Sequence, residues 1–133
     1  ASATQSIAKA AETNQREAIV NFAKSFVGGR YIYGGTNPYI GADCSGFVKY
    51  ILANVAGVSL PRTSSEQSTQ GRTVGINEAQ PGDLVFYAKG GRINHVAVYI
   101  GGGKVVSASS PRSGVKIVAW NYRNPVKIKN VMG

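Results

Sequence analysis

The sequence predicts an α+β domain in which N-terminal helices pack on an antiparallel sheet of five to six strands. In the first half, apolar residues recur at helical spacing, as at Ile19, Phe22, Ala23, Phe26 and Val27. In the second half, the pattern changes to short β-branched segments separated by Gly, Pro and Asn. Helices followed by strands are typical of α+β proteins. A chain of 133 residues is expected to form one domain around one core.

The first helix is predicted to begin at Asn14. Asn14 and Glu17 have the spacing of a capping box, in which each residue satisfies a backbone N–H near the other. The helix is expected to end at the Gly28–Gly29 pair, because glycine is favoured just after a helix. Residues 1–13 are small and polar with weak periodicity, and we interpret them as a linker or tail, or as a loosely held first turn. A single domain is then expected over residues 14–133.

The second helix follows a loop rich in Gly, Asn, Pro and Tyr over residues 30–42. Its apolar face begins at Phe47, Asp43 or a neighbour is expected to cap its start, and Gly57 marks its end. An irregular stretch over residues 60–74 comes next. Five strands are expected after that stretch, over residues 83–88, 95–101, 104–109, 115–120 and 126–131.

The chain is strongly basic, with 15 Lys and Arg against 6 Asp and Glu and a net charge of +9. Such a charge favours polyanions, among them nucleic acid, anionic lipid and wall polymers. The basic residues are dispersed and form no ladder with aromatic residues, so no nucleic-acid partner is expected. No apolar run approaches the roughly 20 residues that span a bilayer, so no membrane span is expected. No signal peptide is visible at Ala1, and we expect the chain to be either a mature form or a piece excised from a longer protein.

Cys44 is the only cysteine and His95 the only histidine. An internal disulfide is excluded, and neither a metal site of the Cys/His kind nor another cofactor is expected. The two residues are the smallest set that makes a thiol–imidazole nucleophile. Cys44 starts the second helix, where free N–H groups and the helix dipole favour a thiolate. The alternative is that Cys44 fills the core as a small apolar residue, but its neighbours Asp43 and Ser45 are polar.

His95 is predicted to be the general base, which either draws the Cys44 proton or holds a thiolate–imidazolium pair, and then protonates the leaving amine. The alternative is a structural histidine. A third group usually accepts a hydrogen bond from the far ring nitrogen, and no acidic residue follows Asp83. The short glycine turn after the histidine strand favours Ser107 for this role. The candidates are Ser107, Ser109, Asn121 and a backbone carbonyl.

Several segments, in order, resemble the NlpC-type family of cell-wall cysteine peptidases, papain-like enzymes that cut peptidoglycan stem peptides. The resemblance covers the chain from about residue 16 to the end, through YIYGGTNPYIGADCSGFVKYI, LPRTSSEQ, QPGDLVFY, NHVAVYIGGGKVV and NYRNPVKI. It implies a papain-like catalytic domain with Cys44 as nucleophile and His95 as base. It also implies a cysteine endopeptidase that hydrolyses a stem-peptide amide through an acyl-enzyme, with the bond from D-γ-glutamate to a diamino acid as the expected target.

The resemblance further implies a substrate-binding set. Tyr31 is expected beside the oxyanion region, to which the Cys44 N–H contributes. Asp43 and Ser45 are expected to bind a free amine of the substrate where the enzyme requires one. Arg62 is either an ordinary loop residue or a cleft residue that meets stem-peptide carboxylates.

One position departs from the family pattern. After the glycine turn the family usually has His-Ala-Ser, with that His as the third catalytic residue, whereas this chain has Ser107 there. We expect an active Cys–His pair with a weaker orienting group. One alternative is a natural or engineered change that lowers activity. The other is a wall-binding module with weak or lost catalysis.

An N-acetylmuramoyl amidase or an acyltransferase on the same fold also stays open. The expected partner is peptidoglycan, with anionic wall polymers as further partners because of the net charge. The protein is expected to be a monomer, either secreted or associated with the bacterial cell wall. It is also expected to be the catalytic part of a larger lysin.

Overall fold

The computed structural model describes residues 3–132. The first helix, α1, spans Ala3–Lys24, so the prediction that it begins at Asn14 is wrong. The stretch before Asn14 is rich in Ala, Gln, Lys and Glu, which favour helix, so the helix extends through it although these side chains are exposed. Residues 1 and 2 of the predicted tail, and Gly133, lie outside the described residues. The division into tail and domain stays a prediction.

The second helix, α2, spans Cys44–Ala56, as predicted. Asp43 is its N-cap, because the Asp43 carboxylate accepts a hydrogen bond from the Gly46 N–H. Gly57 ends the helix in the left-handed conformation, with φ of 66°. The sequence therefore predicted both ends of α2 from its capping residues.

Both irregular stretches contain short elements that the sequence pattern did not predict. They are β1 (Thr36–Asn37), β2 (Gly41–Ala42), α3 (Ser64–Gln67) and β3 (Arg72–Val74), and a one-turn 3-10 helix follows at Ile76–Glu78. Thr63 and Glu66 form a capping box that starts α3. Elements of two to four residues are too short for their period to be recognised in a sequence.

The sheet that carries the fold has six strands in the order β3-β8-β4-β5-β6-β7, and all neighbours are antiparallel. Its five longer strands are β4 (Leu84–Lys89), β5 (Arg92–Gly101), β6 (Lys104–Ser110), β7 (Gly114–Ala119) and β8 (Pro125–Asn130). Each lies within three residues of its predicted bounds. The predicted class, helices on an antiparallel sheet of five to six strands, is confirmed.

Apolar side chains cover both faces of the sheet. A larger cluster joins α1 and α2 to the sheet and includes Val96 and Val98 of β5. A smaller cluster on the other face includes Tyr87 and Ala97. Side chains alternate along a strand, and His95, which contacts the Tyr87 ring, lies with the smaller cluster. The valines of β5 therefore face the helices, as predicted, and His95 projects from the opposite face.

Arg16 joins α1 to the start of β4 through a buried ion pair. Arg16 is 4% exposed and Asp83 is 1% exposed, and Arg16 Nη1 donates to Asp83 Oδ1 at 3.0 Å. The guanidinium also donates to the Pro81 carbonyl, to the Asn130 side chain and to Glu12. Burial raises the pKa of Asp83 although Arg16 lowers it. Arg16 thus anchors the middle of α1 to the sheet.

Candidate active site

A cleft of about 390 Å³ opens at the start of α2. Asn94, the residue before His95, also lines this cleft, as does the exposed Tyr33, and the sequence predicted a site role for neither. His95 and Ser107 are buried and lie outside the lining. Five of the seven predicted site residues line the cleft, namely Tyr31, Asp43, Cys44, Ser45 and Arg62.

The first turn of α2 packs closely against the loop that precedes it. A Cβ atom on Gly46 would lie 2.1 Å from the Gly35 carbonyl oxygen, so this contact requires glycine. Asp43 also ties the two segments together, since its Oδ1 accepts from the Gly46 N–H at 2.8 Å and its Oδ2 from the Gly34 N–H at 3.0 Å. These contacts hold Cys44 at the edge of the cleft.

The Cys44 thiol reaches β5 next to His95. Its sulfur accepts a hydrogen bond from the N–H of Val96, the residue after His95. The pairing of β5 with β6 begins only at Val98 and Val106, so the Val96 N–H lies where the two strands separate. The structure therefore brings the thiol to the strand that carries the only imidazole.

Burial raises the pKa of Cys44 above its ordinary value, and the Asp43 carboxylate raises it further. Hydrogen bonds from the Val96 N–H and from the first turn of α2 act in the opposite direction. The hydrogen bonds at the helix start therefore favour the thiolate, as expected, but the burial of the sulfur outweighs them and leaves the pKa of Cys44 above its ordinary value. The thiol is neutral at rest.

The imidazole of His95 is held by a hydroxyl group. His95 Nε2 lies 2.8 Å from Ser107 Oγ, so Ser107 occupies the place expected of the third group. The ring also contacts Tyr122, with centroids 6.4 Å apart. Burial, with the positive charge of Arg123 nearby, lowers the pKa of His95 to about 4. The imidazole is therefore neutral at pH 7.

The charged groups of the cleft are already paired. Arg62 binds the Asp43 carboxylate with two nitrogens, at 3.1 and 2.8 Å, and also donates to Ser45 Oγ at 2.8 Å. Burial raises the pKa of Asp43, but the hydrogen bonds from Arg62, Gly46 and Gly34 outweigh it and leave the pKa below its ordinary value. Among residues 3–132, no group of three or more His, Cys, Asp or Glu side chains could hold a metal ion.

The neutral thiol predicts how Cys44 reacts with iodoacetamide. We expect the alkylation rate to rise about tenfold per pH unit between pH 6 and pH 8, because only the rare thiolate reacts. A preformed thiolate–imidazolium pair would instead give a rate that does not change over this range. Intact-protein mass spectrometry measures the rate directly, since Cys44 is the only cysteine.

The chain has relatives among known proteins. A model of the NlpC/P60 family matches residues 28–132. The chain is 41% identical over 99 residues to the probable endopeptidase p60 of Listeria innocua, a match that covers 74% of this chain and 20% of that protein. It is 38% identical over 106 residues to a gamma-D-glutamyl-L-lysine dipeptidyl-peptidase of Bacillus cereus. This match covers 77% of this chain and 31% of that protein.

A solved structure shows the same architecture. The NlpC/p60 domain of the peptidoglycan hydrolase SagA matches with a TM-score of 0.78 and 32% identity, over 86% of this chain and 97% of that one. The chain spans less than a third of the length of the two relatives above. The family match, the identities and the shared fold confirm the resemblance seen in the sequence: the chain belongs to the NlpC/P60 family, as a catalytic domain.

Proposed function

We propose that this domain is a cysteine endopeptidase that hydrolyses an amide bond in peptidoglycan stem peptides. The observation that carries the proposal is the placement of the Cys44 thiol, which lines the cleft and accepts from the backbone beside His95. The names of the relatives support the substrate, since SagA is called a peptidoglycan hydrolase. The Bacillus cereus relative is named for a bond from γ-D-glutamate to L-lysine, which supports the bond to a diamino acid as the target.

The mechanism begins with a proton transfer. His95 Nε2 faces Ser107, so Nδ1 is the nitrogen left to take the Cys44 proton. Because thiol and imidazole are both neutral at rest, the proton moves as the sulfur attacks the carbonyl carbon. The developing oxyanion is stabilised by the Cys44 N–H, which has no carbonyl acceptor within the helix, with Tyr31 beside it in the cleft.

The second half of the reaction releases both products. His95 donates its new proton to the leaving amine as the amide bond breaks, which leaves the acyl group on Cys44. Water then attacks the thioester while His95 takes a proton from this water. His95 returns the proton to the departing sulfur, so the Cys44 thiol is regenerated, and the product leaves as a carboxylic acid that ionises in water. Every proton passes through His95, so its protonation state governs both steps.

Asp43 and Ser45 are the proposed site for a free amine of the substrate. Asp43 is the carboxylate that lines the cleft, and its low pKa keeps it charged. Arg62 is proposed to hold this carboxylate in place. A role for Arg62 in binding a stem-peptide carboxylate has less support, because two of its guanidinium nitrogens already bond to Asp43.

The proposed substrate places the protein outside the cell or on the cell wall. The net charge of +9 supports retention on anionic wall polymers. No helix within residues 3–132 is long and apolar enough to cross a membrane. We propose that the domain is the catalytic part of a larger hydrolase, since the relatives are much longer. The monomeric state stays a prediction.

Digestion of purified peptidoglycan tests the proposal. The wild type is expected to release truncated stem peptides, and Cys44→Ala to release roughly 10³-fold less or none, because the nucleophile is gone. Mass spectrometry of the soluble products identifies the bond that is cut. Ser113→Ala, in an exposed turn, is a matched control that should match the wild type.

Other products would point to the alternatives. Whole stems freed from the sugar would indicate an amidase. No products from the wild type, with both proteins still sedimenting with the wall, would indicate a binding module. Equal digestion by Cys44→Ala and the wild type would contradict the thiol mechanism.

A further inference from the structure

The third position of the site is a cluster of neutral hydroxyl groups. Ser107 Oγ lies 2.8 Å from His95 Nε2, 2.8 Å from Ser109 Oγ and 3.4 Å from the Tyr122 hydroxyl. Ser107 is fully buried. A hydroxyl both donates and accepts, unlike a carboxylate, which only accepts. Ser107 by itself therefore does not decide which nitrogen of His95 carries the proton.

The direction of the Ser107 hydroxyl decides the tautomer of His95. If the Ser107 proton points at Nε2, then Nε2 accepts and the ring proton sits on Nδ1, where it blocks the uptake of the thiol proton. If the Ser107 proton points elsewhere, Ser107 Oγ accepts from Nε2–H, and Nδ1 is free to act as a base. An active His95 therefore needs a partner that takes the Ser107 proton.

Ser109 has the geometry of that partner. The register of β6 against β7 shifts between Ala108 and Ser110, and such a bulge re-aims the side chain at its centre. The Ser109 hydroxyl lies within hydrogen-bond distance of Ser107 Oγ, and it also donates, at 3.5 Å, to the Ser107 carbonyl. A carbonyl oxygen can only accept a hydrogen bond. If Ser109 donates to this carbonyl, its oxygen is free to accept from the Ser107 hydroxyl, and Ser107 Oγ is then free to accept from His95 Nε2–H.

The other polar neighbours of the ring make their hydrogen bonds elsewhere. The Tyr87 hydroxyl donates to the Trp120 carbonyl. Arg123 donates to Asn94 Oδ1 at 2.8 Å and more weakly to the Ala88 carbonyl. The Tyr122 hydroxyl is farther from Ser107 Oγ than the Ser109 hydroxyl is. It can donate to the second lone pair of Ser107 Oγ while Ser107 still accepts from His95 Nε2–H and donates to Ser109.

We propose that Ser109 is a positioning residue that takes the Ser107 proton and thereby holds His95 in the tautomer with Nε2 protonated. The consequence for catalysis rests on the proposed function, because the tautomer matters only if His95 acts as the base. In this protein a serine pair thus does what a single charged or amide group does in other thiol–imidazole sites.

Nitrogen NMR of the folded protein tests the proposal. His95 is the only histidine, so a protein labelled with ¹⁵N-histidine gives one imidazole, whose two nitrogen shifts report the tautomer. At pH 7 the wild type is expected to show protonated Nε2. Ser109→Ala should shift the tautomer ratio about fivefold toward protonated Nδ1, the change expected from the loss of one neutral hydrogen bond.

Two further variants separate this role from a structural one. Ser109→Thr keeps a hydroxyl and is expected to restore the tautomer of the wild type. Ser110→Ala removes the next hydroxyl, which bonds to Ser113 rather than to Ser107, and is expected to change nothing. In wall digestion, Ser109→Ala is expected to lower kcat by up to about fivefold with KM unchanged, because kcat follows the fraction of the protein whose Nδ1 is free to act as a base.

A tautomer ratio that is the same in Ser109→Ala and Ser110→Ala would overturn the proposal, as would a wild type with protonated Nδ1. The NMR result does not depend on turnover. If the tautomer follows Ser109 but peptidoglycan is not cut, the positioning role stands and the proposed function fails. If peptidoglycan is cut and the tautomer ratio of His95 is unchanged in Ser109→Ala, only the positioning role fails.

Discussion

Arg16→Met is expected to destabilise the folded protein by about 3 to 5 kcal/mol, the usual effect of removing one partner of a buried ion pair. The substitution leaves the Asp83 carboxylate buried without its cation. It also removes the donors to the Pro81 carbonyl and to the Asn130 side chain. Urea unfolding at pH 7 measures the loss as a fall in the free energy of unfolding.

Two further variants isolate the uncompensated charge as the cause. Adding Asp83→Asn to Arg16→Met is expected to recover part of the loss, because a neutral amide is buried more easily than a carboxylate. Arg112→Met, in an exposed turn, is the matched control and should stay within about 0.5 kcal/mol of the wild type. A loss below about 1 kcal/mol in Arg16→Met would contradict the anchoring role.

We expect the protein to lose about 3 kcal/mol of stability between pH 7 and pH 4 through His95 alone. Burial and Arg123 lower the pKa of this group from 6.5 to about 4 in the folded protein. Between these values the unfolded chain binds a proton that the folded protein does not, so acid favours unfolding. A difference of about 2.5 units at about 1.4 kcal/mol per unit gives a full loss of about 3.5 kcal/mol, of which about 3 kcal/mol is reached at pH 4, where about half of the folded protein carries a protonated His95.

The experiment compares the wild type with His95→Gln, which has no imidazole and therefore no such proton uptake. Unfolding free energies at pH 7, 5.5 and 4 should converge or cross as the pH falls, because only the wild type carries the penalty. The acidic groups are the same in both proteins and cancel in the difference. Parallel curves for the two proteins would show that the pKa of His95 is not lowered.

Much of the architecture was predictable because it depends on local pattern. The bounds of α2 follow from Asp43 and Gly57, whose capping roles are set by short-range geometry. The long strands follow from β-branched runs between turn residues. The start of α1 was not predictable from Asn14 and Glu17, because the capping pattern does not show that good helix formers continue on its N-terminal side.

Some features of the candidate site were likewise predictable from the sequence, and others were not. Cys44 and His95 stand out in the sequence because each is the only residue of its type. The pairing of Arg62 with Asp43 joins residues 19 positions apart, and only the folded chain shows that it occupies the guanidinium. The neutral resting thiol is also a property of the fold, since its main cause is burial.

By itself, the sequence determined the fold class, the lone cysteine at a helix start and the family resemblance, because these depend on spacing and residue type. Only the tertiary structure decided the ion pair that anchors α1, the protonation states at rest and the serine pair behind His95. Those features depend on distances between segments that are far apart in the chain and on the burial of polar groups away from water. Neither can be predicted from short-range sequence pattern.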